Sequence, residues 1–230
     1  MLDKNKHKVM MAKILKDIYS DLSLGKYLGF KGGTAAFLFY GLPRFSVDLD
    51  FDLLDLDKKK EVFVKLKKIL AQYGQIQDST EKKYTLFFLL SYQGGKRKIK
   101  VEISKRAGIG SFTVMNYLGI PMLVMVKRDM AANKLTALLT RKNLATRDIF
   151  DLWYLLKNDF NFNADLVKQK TGLTMAKAFI RAEKKARAVP KNRLLQGLGD
   201  LLEEKQKNWV KEKMVSELAF LLRLYVENKL

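Results

Sequence analysis

Between Lys31 and Phe51 the chain reads KGGTAAFLFYGLPRFSVDLDF, and this stretch decides the fold. Gly32, Gly33 and Thr34 stand between a short apolar run near Tyr27 to Phe30 and the helix-forming run Thr34 to Tyr40, so the segment predicts a strand, a tight turn and a helix. Glycines at such a turn let the backbone approach a ligand, and the amino end of the following helix points free amides at the same spot, where a phosphate can sit. Taken alone, the pair would equally suit an ordinary turn. Further on, Val47, Leu49, Phe51 and Leu53 alternate with Asp48, Asp50 and Asp52, the period of two of a strand with one apolar and one acidic face. Asp48 and Asp50, at i and i+2, project from the same face and can converge on one hard cation, for which magnesium is the expected ion. The plainer alternative is the solvated face of an edge strand. Against it, like charges along one face repel and strands disfavour Asp, so the pattern asks for a compensating cation.

Outward from this stretch, Lys8 to Asp21 and Lys58 to Tyr73 have helical apolar stripes, and Tyr84 to Tyr92 with Lys96 to Ser104 predict a hairpin turned at Gly94 and Gly95. From about Lys127 almost to Leu230 the pattern is helical throughout. The fold class is therefore α+β: a mixed α/β lobe over residues 1–125, then a helical lobe over residues 126–230. No Gly/Ser linker separates the two, and no internal repeat is present. Lys96, Arg97, Lys98, Lys100, Lys105 and Arg106 cluster around a single acid, Glu102. Glu102 lies in the strand-like segment Ile99 to Ile103 and is the candidate third carboxylate of the metal site; the alternative is a surface glutamate paired with Lys100 or Lys105. Lys105 and Arg106 are candidate contacts to phosphates of a nucleotide or RNA.

The charge balance points to a polyanionic partner. Lys and Arg total 44 against 24 Asp and Glu, a net charge of +20, which favours nucleic acid, with a membrane surface or an acidic protein as alternatives. The absence of cysteine excludes disulfides, thiolate metal sites and cysteine nucleophiles. The single histidine, His7, rules out a multi-histidine metal site and is expected at the surface of the opening helix. The longest apolar runs fall far short of the roughly 20 residues of a spanning helix, and the N-terminus has no signal-peptide pattern, so the expectation is a cytoplasmic protein without a membrane partner. Trp153, Tyr154, Trp209 and Tyr225 could stack on bases, but at helical spacing beside leucines they are expected in the core.

The spacing of GGTAAFLFYGLPRFSVDLDF resembles motif I of the AbiEii/AbiGii toxin nucleotidyltransferases, within the DNA polymerase β-like superfamily. NKLTALLTRKNLATRDIFDLWYLL, from Asn133 to Leu156, resembles the same family's downstream helical motif. Together these cover roughly residues 25–160. Better-known superfamily members carry Gly-Ser where this chain has Gly33-Thr34, whereas the toxin family commonly has Gly-Gly-Thr.

The resemblance implies a minimal nucleotidyltransferase fold, a mixed sheet flanked by helices. Asp48 and Asp50 would ligate Mg2+, with Glu102 the candidate third acid from its own segment and two ions expected, and Gly32, Gly33, Thr34, Arg44 and Ser46 would lie around the nucleotide. It also marks Lys134 and Asp148 as catalytic and Arg147 and Asp151 as active-site or structural partners, with Arg147 a candidate contact to RNA or phosphate. On the helix, Asp148 and Asp151 share a face at i, i+3 and Arg147 stands at i, i+4 from Asp151, so a surface ion pair is the alternative. The implied reaction moves a nucleotidyl group from a nucleoside triphosphate to an acceptor hydroxyl, on RNA and in particular the 3′ end of tRNA. The implied setting is that of a toxin with a cognate antitoxin, in a toxin-antitoxin or abortive-infection system. A small-molecule or protein acceptor, and a non-catalytic RNA-binding module of the same fold, are the other readings open at this level.

Overall fold

A computed structural model of the chain describes residues 3–95, 97–106 and 110–229. The chain forms two units, one of residues 1–41 and 45–126, the other of residues 42–44 and 127–230.

In the first unit the Asp3 carboxylate accepts the Lys6 amide at 3.0 Å and starts α1, Lys4–Ser20. Asp21 then caps α2, Leu22–Tyr27, by accepting the amides of Ser23 and Leu24. Two features of the key stretch follow at once: β1, Leu28–Lys31, runs directly into α3, Gly32–Phe39. β2 spans Leu49–Leu53 and is followed by α4, Lys59–Ala71. The remaining strands are β3, Gln75–Glu81, β4, Thr85–Tyr92, β5, Arg97–Ser104, β6, Phe112–Tyr117, and β7, Ile120–Met125. The β4–β5 hairpin turns at Gly94 and Gly95, both in the left-handed region that glycine adopts without a Cβ penalty. Lys96, counted in the basic cluster, lies outside the described residues.

The strands form one mixed sheet in the order β3-β4-β5-β2-β1-β7-β6. β2 runs parallel to β5 and antiparallel to β1, and β1 runs parallel to β7. The alternation along β2 is explained by what lies beneath it: Leu49 and Phe51 are paired with Val101 and Ile103 of β5, and all four are fully buried. The same apolar layer contains Phe30, Phe88, Ile14, Leu15, Ile18 and Leu66. β3, β6 and β7 were not among the elements read from the sequence. β3 is Gln-Ile-Gln-Asp-Ser-Thr-Glu, a polar edge strand with no buried residue, and it leaves no hydrophobic period to recognise.

His7 departs from expectation. It is 1% exposed rather than at the surface, with Nε2 at 3.0 Å from the Val47 carbonyl and Nδ1 at 2.6 Å from the Tyr92 hydroxyl. Burial holds its pKa below the ordinary value, so the ring is neutral at pH 7: Nε2–H donates to Val47 and Nδ1 accepts from Tyr92. Its position in a helix next to lysines gave no hint of this, because both partners are distant in sequence.

The second unit is helical: α5, Lys127–Thr140, α6, Thr146–Lys157, α7, Ala164–Thr171, α8, Met175–Arg187, α9, Glu204–Glu212, and α10, Met214–Lys229. Of the aromatics expected in the core, Trp153 is buried, while Tyr154, Trp209 and Tyr225 are half-buried at its margin. Trp153 and Trp209 lie 4.1 Å apart between centroids, and both indoles donate to the Glu217 carboxylate. Tyr225 meets Phe162 and Phe179 edge to face. Among the described residues no helix is long and apolar enough to cross a membrane.

Candidate active site

The glycine turn and the acid pair meet in the sheet. β1 and β2 are neighbours with Lys31 opposite Asp50, so the residue after Lys31 stands beside the Asp50 side chain. That residue is Gly32, at φ +83°, and a Cβ on it would lie 2.9 Å from Asp50 Cβ. Only glycine meets both demands, a left-handed backbone and a side chain's absence. Gly33 and Thr34 are buried behind it, and the Thr34 hydroxyl donates to the Asp48 carbonyl, tying the first turn of α3 to the start of the acidic strand. The amino end of α3 and the acid pair are thus held together by one glycine and one hydroxyl. Ser46 is nearly buried in the segment leading to Asp48.

Gly32→Ala is expected to cost about 1–2 kcal/mol of stability through the left-handed backbone alone. The Cβ must also push Asp50 aside, so nucleotide transfer should fall much further than thermal unfolding shifts. A variant that unfolds earlier yet transfers at the native rate would contradict this placement.

Glu102 joins the acids by pairing: it is the direct parallel partner of Asp50 across β2 and β5, one strand spacing of about 4.8 Å away. The compensating cations required by three acids on one face are also present. Lys31 forms an ion pair with Asp52, and Lys100 Nζ lies 3.3 Å from Asp48 Oδ2 and 3.8 Å from Glu102 Oε2. Burial pulls the Lys100 pKa down, but the charges of Asp48, Glu102 and Asp50 outweigh it and leave the pKa raised.

Among the described residues, no group of three or more His, Cys, Asp or Glu is arranged to hold a metal ion. The donors nonetheless have the chemistry for a hard divalent cation: Asp48 just before β2, Asp50 on β2 and Glu102 on β5 all offer carboxylate oxygens, and Asp48 and Glu102 already share one positive charge in the Lys100 ammonium. The pair that could share a metal is Asp48 and Asp50, with Glu102 beside Asp50 as the candidate third acid.

Lys105 and Arg106 have other engagements. Lys105 pairs with Glu81 at 2.6 Å, and with Lys59 it holds the Glu81 carboxyl down at about 2. The Arg106 guanidinium lies over the Tyr84 ring at 5.3 Å.

Within the helical unit, Asp151 is the hub. Its carboxylate accepts Arg44 Nε and Nη2, the latter at 2.7 Å, and pairs with Lys134 Nζ at 2.6 Å. Arg44 and Asp151 are buried, at 4% and 1% exposure. Burial alone would raise the Asp151 pKa, but Arg44 and then Lys134 hold it down at about 2. Arg44 therefore belongs with the helical unit although it lies in the stretch quoted first. Asp148 is buried too, and burial pushes its carboxyl up against the opposing pull of Arg141, whose Nη1 is 2.8 Å away. Asp148 and Asp151 are thus buried rather than a helix-surface pair, and Arg147 is half-exposed.

A mixed sheet carrying a glycine turn against an acid pair, with a second helical unit, defines the nucleotidyltransferase class. Over residues 13–218 the chain matches the family described as nucleotidyl transferase AbiEii toxin, type IV toxin-antitoxin system, and it belongs to that family. It is a nucleotidyltransferase. In fold it is similar to the crystal structure of JHP933 from Helicobacter pylori, at 21% identity and TM-score 0.63, over 99% of this chain and 93% of that one. A second H. pylori crystal structure, described only provisionally as a nucleotidyltransferase, is similar at 21% identity and TM-score 0.64, over 99% of this chain and 96% of that one. No curated protein matches the chain in sequence.

Proposed function

We propose that the protein transfers a nucleotidyl group from a nucleoside triphosphate to a hydroxyl of RNA, the 3′ end of tRNA being the acceptor we favour, as the toxin of a toxin-antitoxin pair with a cognate antitoxin protein. The observation that carries this is Gly32 lying against Asp50, which sets the glycine turn we read as binding phosphate beside the acids we read as binding metal. Magnesium, one or two ions on Asp48, Asp50 and Glu102, would neutralise charge on the transferring group. The amides of the Gly32–Thr34 turn hold the triphosphate, with Ser46 nearby in sequence to the acids. The acceptor oxygen bonds to the α-phosphorus as the bond to the bridging oxygen of the leaving pyrophosphate breaks, and the hydroxyl proton passes to a carboxylate or to water.

Lys134, a cation held by Asp151, and Asp148, a carboxyl pushed up by burial, have the chemistry of a phosphate-binding cation and a proton acceptor, and we assign them those roles. Arg44 is assigned as the buried structural partner of Asp151 rather than a nucleotide contact. The net charge of +20 supports an RNA acceptor over a small molecule.

The test incubates the protein with magnesium, each labelled triphosphate in turn, and total RNA, protein or metabolite fractions. RNA is expected to take the label with release of pyrophosphate, and the labelling to fall steeply as salt is raised. Label confined to protein or small molecules would overturn the RNA acceptor, and no pyrophosphate release with any fraction would overturn catalysis.

A further inference from the structure

The row of the sheet that holds Asp50 and Glu102 continues past them. Lys31, Asp50, Glu102, Phe87 and Thr80 are successive partners on β1, β2, β5, β4 and β3. Residues directly paired on neighbouring strands share a face, so Phe87 stands on the same face as the two acids. Strand spacing places it about 5 Å from Glu102 and about 10 Å from Asp50. Its ring is half-buried, and the Lys82 ammonium lies 3.8 Å from its centroid. The core does not account for it: the adjacent Phe88, on the opposite face, packs against Phe63 of α4.

In-line transfer sets the direction of approach. The attacking hydroxyl and the leaving pyrophosphate occupy opposite sides of the phosphorus. With the triphosphate on the Gly32–Thr34 turn, at the β1 side of Asp50, the acceptor comes from the β5 and β4 side, where Glu102 and then Phe87 stand. A flat aromatic at about one nucleotide's reach from the acids, topped by a cation, suits a nucleobase with its phosphate. Such stacking needs no particular base, since every base has a π-face.

We propose that Phe87 is the platform on which the terminal base of the RNA acceptor stacks, Lys82 moving from the ring to the neighbouring phosphate. This rests on the reading of Asp48 and Asp50 as the nucleotide-transfer acids. Phe87→Trp supplies a reporter whose signal is read above that of Trp153 and Trp209. Its indole fluorescence is expected to be quenched by a single-stranded oligoribonucleotide of about eight nucleotides, and not by the same oligonucleotide with an abasic 3′ residue. Phe87→Ala is expected to raise the KM for the acceptor about tenfold with the KM for the triphosphate unchanged.

Absence of quenching, equal quenching by the abasic strand, or quenching by triphosphate alone would each overturn the platform. So would an acceptor KM unmoved in Phe87→Ala. Adding Asp50→Asn to Phe87→Trp keeps the two readings apart: quenching should persist while transfer is lost. If that double variant still transfers, the acid assignment fails, and if it transfers nothing but never quenched, the platform fails.

Discussion

Asp48→Asn and Asp50→Asn are each expected to reduce transfer of labelled nucleotide by about three orders of magnitude, with thermal unfolding at or above that of the native protein. The size follows from the role assigned to the pair, since each change removes a hard anionic donor from the one place where transition-state charge would be neutralised. The sign of the stability effect follows from the row of acids. Asp50 and Asp52 on β2, Glu102 on β5 and Asp48 just ahead of β2 lie close together in the sequence or the sheet, and Lys100 is shared between Asp48 and Glu102. Neutralising one of several like charges relieves repulsion, and asparagine keeps the shape. Radiolabel transfer and a melting curve on the same preparations decide the matter. Either variant retaining more than a tenth of native transfer would refute the assignment.

The second large effect is structural. Asp151→Ala is expected to destabilise the protein by about 3–5 kcal/mol, because it leaves the buried Arg44 guanidinium without its counter-charge. Arg44→Met combined with Asp151→Leu should recover the part of that loss that comes from Arg44, since the apolar pair removes its buried charge, while Lys134 keeps its own share of the loss. Denaturant unfolding of the three proteins reads both quantities, and an Asp151→Ala midpoint close to native would contradict the hub.

The pH dependence has a defined sign. Asp151 titrates at about 2 in the folded chain against an ordinary 3.8, so the unfolded chain binds its proton first as acid is added. The stabilisation is complete above about 4 and drains away as pH falls through the interval toward 2. Asp148, whose pKa is raised, acts in the opposite sense above that interval, so the loss assigned to Asp151 is the part of the acid limb that disappears in the Arg44→Met, Asp151→Leu protein.

Much of the site was legible before any fold was known, and its errors are instructive. The glycine turn and the alternation of Asp48 to Leu53 are local, written in spacing of one or two residues, and they reappear as the β1–α3 turn and β2. His7 was misplaced because its environment is non-local: Val47 and Tyr92 lie 40 and 85 residues away. Arg44 looked like a neighbour of the acids because it stands only four positions before Asp48, yet its carboxylate partner is 107 residues away. The pairing of Arg147 with Asp151, suggested by helical spacing, gives way to Arg44 and Lys134, because a fully buried carboxylate takes the partners its surroundings bring to it.

The sequence by itself determined the chemistry: a turn only glycine can make, carboxylates set two apart on a strand, an excess of positive charge, and an α/β half followed by a helical half. Propensity, period and composition are local quantities, and a single chain displays them fully. Only the tertiary structure decided which distant residues join them. The parallel pairing of β2 with β5 brings Glu102 level with Asp50 and Lys100 between the acids, and the β4 register then sets Phe87 next in the row. Strand order and register depend on burying Leu49, Phe51, Val101 and Ile103 together, a cooperative outcome that no window along the chain contains.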